Sequence, residues 1–264
     1  MIHEVEDSSQ ASQPLILLGL LTNYNKFEFQ NPYRLRLDDF VNDLIIKSLV
    51  QSLGARCSAL RDQYVGVQDD LPEGWNLGNT INYLSLGLIA SRSRPTTPVL
   101  SPEEANAHFA KLLVPLCLSR AYANIIRPDP EAAILLTAYE FVNANKLFCF
   151  TLLTHRSEAK EDVPAISNYL SLTSYFSQHA HRSARATLYT YINLFTIQLL
   201  VEDQSLAKWL CSDESKTVVR LCRQRQPYLP QVLGERVLAA VIIDIMVDAI
   251  NHNLRRRLDV DFYL

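Results

Sequence analysis

In the last apolar run of the chain, "LAAVIIDIMVDAINHNL", Asp244, Asp248 and His252 recur every fourth residue. On a helix that spacing places two carboxylates and an imidazole on one face. Such a trio is suited to general acid–base chemistry or to holding a metal ion. The competing reading is a solvated stripe or a charge network to a neighbouring helix, and it carries more weight because no companion motif supports the chemistry. His179-Ala-His181, with His155 upstream, is the next candidate for metal, yet no HExxH accompanies it and "HAHRS" reads as a turn. Phosphate-cradling glycine loops, dinucleotide turns and nucleophile elbows do not occur. The sequence therefore predicts a protein that is not an enzyme and holds no cofactor or metal; the alternatives are a metal- or acid–base-dependent enzyme using the Asp244/Asp248/His252 face, or an integral membrane protein.

A second concentration of polar groups interrupts "LILLGLLTNYNKFEFQNPYRLRLDDFVND", residues 15–43. Asn23, Tyr24, Lys26, Glu28, Asn31, Pro32 and Tyr33 form either a partner surface or a structural corner. Pro32 disfavours a helical Asn31 and so ends the helix before it. Tyr24, Phe27, Phe29 and Tyr33 are expected to pack that corner, with Asn23, Lys26 and Glu28 satisfying backbone groups freed at the helix end. Basic residues gather at Arg220, Arg223 and Arg225, and again at Arg255, Arg256 and Arg257. The second group suits the last turn of a helix by complementing its dipole. Either group could face an acidic partner or anionic lipid headgroups.

The elements that must position these residues read as helices. Seven glycines among 264 residues is few, against roughly 7% in average proteins. A chain so poor in positive-φ residues has little material for hairpins. The 48% apolar content is ample for a core. The net charge of −3 argues against a general nucleic-acid binder, whose phosphate contacts need surplus Lys and Arg. Five cysteines, widely spaced and never as CxxC, read as buried free thiols in a reducing compartment. Residues 1–13 read as a disordered polar tail unlike a secretory signal, and 14–264 as one helical domain. The most apolar stretches carry Glu140 and Lys146, or Asp244 and Asp248, so buried helices rather than membrane spans are expected.

Helices are predicted from Pro14 to about Phe29, from Asp38 to about Gln63, and briefly over 81–90 after a loop at 65–79. "SPEE" at Ser101 is a capping box opening a helix to about Ile126. Another runs from Pro130 to about Thr154, then others from Pro164 to about Gln178 and from about Ser183 to Leu200. A short "QSLAKWL", a piece near "SKTVVRLCRQR" and the last helix complete an all-α chain. Helices joined by short polar or proline turns indicate an α-solenoid or irregular helical bundle without a clean repeat.

The order Asn23-Tyr24, Lys26, Glu28, Asn31-Pro32-Tyr33 and Asp38-Asp39 resembles the C-terminal region of the armadillo-like helical domain-containing protein 3 family, in a fungal-type version. The stretch "GERVLAAVIIDIMVDAINHNLRRRLDVDFY" is similar to part of the same region. The resemblance implies an armadillo-like fold, truncated at its C-terminal end. It also implies a non-catalytic scaffold of Golgi maintenance and secretion, cytoplasmic and peripherally associated with Golgi membranes. Its implied partners are a type III phosphatidylinositol 4-kinase and a large Arf exchange factor, with no catalytic residues to carry over.

Overall fold

The computed structural model describes residues 8–24, 31–65, 130–156, 163–222 and 234–256. The loop at 65–79, the short helix over 81–90 and the capping box at Ser101 fall almost wholly outside these residues. The described part is all-α, in agreement with the sequence. Its helices are α1 (Ser8–Asn23), α2 (Pro32–Asp38), α3 (Asp43–Val65), α4 (Ile134–Ala144), α5 (Lys146–Thr154), α6 (Ala165–His179), α7 (Ala184–Glu202), α8 (Gln204–Leu210) and α9 (Leu238–Arg256).

Helix α6 is the axis of the packing. All of its fifteen residues are buried, and α3, α5, α7 and α9 all pack against it. Its apolar side chains, among them Ile166, Tyr169, Leu170, Leu172, Tyr175 and Phe176, are almost completely excluded from solvent. A helix buried all round should be apolar all round, yet α6 carries Ser, Thr, Asn and Gln throughout. The hydroxyls of Thr173 and Ser177 donate back to the carbonyls of Tyr169 and Thr173. Between α6 and α7 the Tyr169 hydroxyl donates to Asn193 Oδ1 at 3.1 Å, and Asn193 Nδ2 donates to Thr173 Oγ1 at 3.0 Å. These four buried polar groups are thereby paired, as the cost of leaving them unpaired requires.

Two close helix crossings depend on glycine. A Cβ on Gly54 of α3 would lie 2.8 Å from both Cα and Cβ of Ala165. A Cβ on Gly19 of α1 would lie within 3.1 Å of the backbone nitrogen of Thr137 in α4. The Thr137 hydroxyl donates across that contact to Leu15 O.

Several boundaries differ from expectation. Helix α1 begins at Ser8, so residues 8–13 are helical rather than a tail, and Pro14 sits inside the helix. Proline there forgoes one intrahelical bond without ending the helix. Asn31-Pro32 opens a helix as well as lying beyond the end of α1: Asn31 caps α2 and Pro32 is its first residue, where proline's missing N–H costs nothing. The helix expected over 130–154 is divided at Asn145, which ends α4 and caps α5. Residues 216–222 are extended rather than helical, and Thr217 pairs antiparallel with Arg236 through two backbone bonds of 3.0 Å. Among the cysteines Cys57, Cys149 and Cys222 are buried and free, but Cys211 is exposed, because it follows the end of the short helix α8. Cys117 lies outside the described residues.

Candidate functional site

The corner between α1 and α2 is built on Asn31. Its Nδ2 is shared among three carbonyls at the end of α1: Leu21 at 2.9 Å, Thr22 at 3.0 Å and Tyr24 at 3.0 Å. Its Oδ1 accepts from the amides of Tyr33 at 2.9 Å and Arg34 at 3.4 Å, the first free donors of α2. One side chain thus satisfies the acceptor end of one helix and the donor end of the next. Asn23 Nδ2 also donates back, to Gly19 O at 2.8 Å. The tyrosines do not pack the corner as expected: Tyr24 is 75% exposed and Tyr33 46%. With the backbone groups met by Asn31, both rings are left standing outward on a fixed frame. Lys26, Phe27, Glu28 and Phe29 lie outside the described residues.

Asn145 repeats the device one layer deeper, and nothing in the sequence reading singled it out. Its Oδ1 accepts from Phe148 N at 2.7 Å, capping α5. Its Nδ2 donates to the carbonyls of Leu37 at 2.8 Å and Phe40 at 2.7 Å, at the end of α2. The signal available was an asparagine three residues before Phe148 within an apolar run, which is N-cap spacing.

Asp244, Asp248 and His252 share one side of α9 by their fourth-residue spacing. Asp244 is ion-paired to Arg236, which opens the turn before the helix. Asp248 is half-buried; desolvation, aided by the charge of Asp244, pushes its carboxyl up to about 6. His252 lies beside His181, with ring centroids 5.6 Å apart. His179 is buried and stacks on Tyr64 at 5.1 Å, while His155 meets Gln51 Nε2 at 3.1 Å. Among the described residues no group of three or more His, Cys, Asp or Glu side chains comes together to hold a metal ion. An open groove of about 500 Å³ lies between α3 and α5, lined by Asp43, Lys47, Leu147, Phe150, His155 and Arg156. Its Lys47 is already paired with Asp43 at 2.7 Å.

Arg220 lies on the extended segment, where its Nε donates to the Tyr175 hydroxyl at 3.2 Å. Arg223 and Arg225 lie outside the described residues, as does Arg257; Arg255 and Arg256 are in the last turn of α9.

The extended segment meets α6 along a polar stripe that the sequence reading did not anticipate. Ser167, Ser171, Ser174 and Gln178 follow helical spacing on one face. Ser171 Oγ donates to Arg220 O, Ser174 Oγ accepts from Cys222 N at 2.9 Å, and Gln178 Nε2 donates to Cys222 O at 3.0 Å. Ser167 and Thr217 share a hydroxyl bond of 3.1 Å. The Arg156 guanidinium holds the start of the segment, donating to the carbonyls of Glu214 at 3.1 Å and Lys216 at 3.0 Å.

These features define a helical module with exposed tyrosines on either side of the α1–α2 corner. Residues 236–264, from Arg236 through the whole of α9, match the family model for the armadillo-like helical domain-containing protein 3, C-terminal. A Schizosaccharomyces pombe protein described as a UPF0588 membrane protein is 29% identical over 246 residues, covering 93% of this chain. The chain spans about a third of that relative's length, 36%. Together the matches bear out the resemblance to the armadillo-like helical domain-containing protein 3 family. No solved structure matches the chain. Among the described residues no helix is long and apolar enough to cross a membrane.

Proposed function

We propose that the chain is a non-catalytic helical scaffold that engages protein partners at Golgi membranes, a type III phosphatidylinositol 4-kinase and a large Arf exchange factor foremost. The observation that carries the reading is the corner: Tyr24 and Tyr33 stand exposed on either side of an asparagine that locks their backbone. Aromatic rings held rigidly at the surface lose little entropy on binding and make strong anchors. The family likeness supports the Golgi setting, and the Arg236–Asp244 ion pair weighs against acid–base chemistry on α9. The scaffold is read as cytoplasmic and peripheral to the membrane, with Arg220, Arg223, Arg225, Arg255, Arg256 and Arg257 as the candidate patch for an anionic partner.

Tagged chain expressed in cells tests this by two readouts. Co-precipitation, probed for the kinase and the exchange factor, is expected to recover at least one of them. Alkaline carbonate is expected to release the chain from membranes. Retention in the membrane after carbonate would favour an integral protein, the setting that the relative's description names. Loss of both partners under conditions that keep the chain folded would overturn the scaffold reading.

A further inference from the structure

Helix α9 is apolar on two sides. Val241, Ile242, Ile245 and Ala249 are buried, on the side that packs against α6 and α8. Ile243, Val247 and Ile250 stand on the other side, 60%, 39% and 46% exposed. With Ala240 ahead of them they recur at alternating intervals of three and four residues. That is the spacing by which one helix seats its side chains into a second. The two edges of this outer seam differ in charge. By helical spacing Asp244 and Asp248 border it on one side, Ala239 and Met246 on the other. Ala239 and Met246 are partly buried against the core, and Asp244 is ion-paired to Arg236. At Asp248, burial and then the charge of Asp244 both oppose ionisation, so a cation brought beside it would be attracted.

These edges decide what fits the seam. Two copies of α9 laid antiparallel would set the carboxylates beside their own counterparts. Laid parallel, they would set them beside Ala239 and Met246, and neither arrangement supplies a cation. An anionic lipid surface would be repelled by the same carboxylates. A helix with an apolar stripe and basic residues along one edge meets both the seam and its border. We propose that the outer seam of α9, formed by Ala240, Ile243, Val247 and Ile250, docks an amphipathic helix of a protein partner, with Lys or Arg on that helix's edge beside Asp248. The apolar contact supplies affinity, and the cation fixes register and orientation along the seam. The site lies on a different element from the α1–α2 corner and does not depend on it, so it is a second point of attachment on the scaffold.

The test uses two dye-labelled helical peptides of three heptads, with leucine at the a and d positions. One carries lysine at every e and g position and the other glutamate, so that each repels its own copies. Polarisation with the full chain is expected to show the lysine peptide binding at least tenfold more tightly. The Ile243→Ser, Ile250→Ser double variant should lose at least tenfold in that affinity, and Asp248→Asn should narrow the preference between the peptides. A photo-crosslinker at the central d position of the lysine peptide needs no variant, and it should label α9 within residues 240–250. Absence of binding, equal affinity for the two peptides, or labels outside α9 would each overturn the proposal. Sedimentation of the parent as a dimer that the double variant abolishes would assign the seam to a second copy instead. Flotation of the parent with phosphatidylserine vesicles, lost in the double variant, would assign it to lipid. Tyr24 and Tyr33 are unchanged throughout, so capture of the kinase or exchange factor at the corner fails or stands separately.

Discussion

At the scale of single residues, two asparagines do the same work at different depths, and their substitution should separate them. Asn31→Ala removes a helix cap and a bracket that water can partly replace at the surface. A loss of about 1 kcal/mol is expected. Asn145→Ala removes a cap and leaves the carbonyls of Leu37 and Phe40 without their donor beside a buried side chain. A loss of about 3 kcal/mol is expected, read as a shift in denaturant midpoint at unchanged m-value. Asn31 was legible only as a helix stop, because a proline follows it; its cap of α2 and its bonds back to α1 were not. Asn145 was not, because its acceptors come from residues more than a hundred positions away and the flanking sequence is apolar and helical.

Asp248 gives a pH dependence of definite sign. Its carboxyl titrates near 6 in the folded chain, above the ordinary aspartate value, because burial disfavours the charge. Folding is therefore favoured by the protonated form. That contribution is fully present below about 4 and is lost as pH rises through about 6. Asp248→Asn should stabilise the chain at pH 7.5 by about 1 kcal/mol, the half exposure of the group screening the rest. At pH 4 the variant and parent should melt alike. Equal melting at both pH values would show that the carboxyl is solvated.

At the scale of elements, the helices were legible where apolar spacing and a cap coincide, as at Ser183 before α7, whose hydroxyl accepts from Ala186 N at 3.1 Å. Asp203 caps α8 in the same way, accepting from the amides of Ser205 and Leu206. The Ser205 hydroxyl bond leads the interactions that hold this carboxyl low, at about 2. The extended strap was misread because "SKTVVRLCRQR" has helix-compatible residues. Its conformation is set by the stripe on α6, a tertiary effect that local propensity does not contain. The close crossing of α3 and α6 was equally invisible, since a lone glycine within a helical run looks like a weakness. Gly54→Ala should cost about 1–3 kcal/mol, because the new methyl meets the Ala165 backbone and outweighs the gain in helix propensity. Thermal unfolding would check it; a rise in melting temperature would show that the crossing relaxes freely.

At the scale of the whole molecule, helical class followed from composition, and the family resemblance from short stretches of sequence. The arrangement around α6 did not, because it depends on which polar residues find partners across the bundle. The exposed stripe Ile243, Val247 and Ile250 on α9 lies within the family-matched stretch. The chain spans about a third of its relative's length.

The account turns on the corner as a partner surface, and the most direct measurement is binding of the purified chain to the purified lipid kinase and exchange factor. The parent would be compared with the Tyr24→Ala, Lys26→Ala, Tyr33→Ala triple variant, with circular dichroism and melting temperature establishing that both are folded. The account predicts that the parent binds at least one partner and that the folded variant binds it at least tenfold more weakly. Equal affinities would contradict it, leaving the corner as architecture and placing the partner surface elsewhere on the molecule.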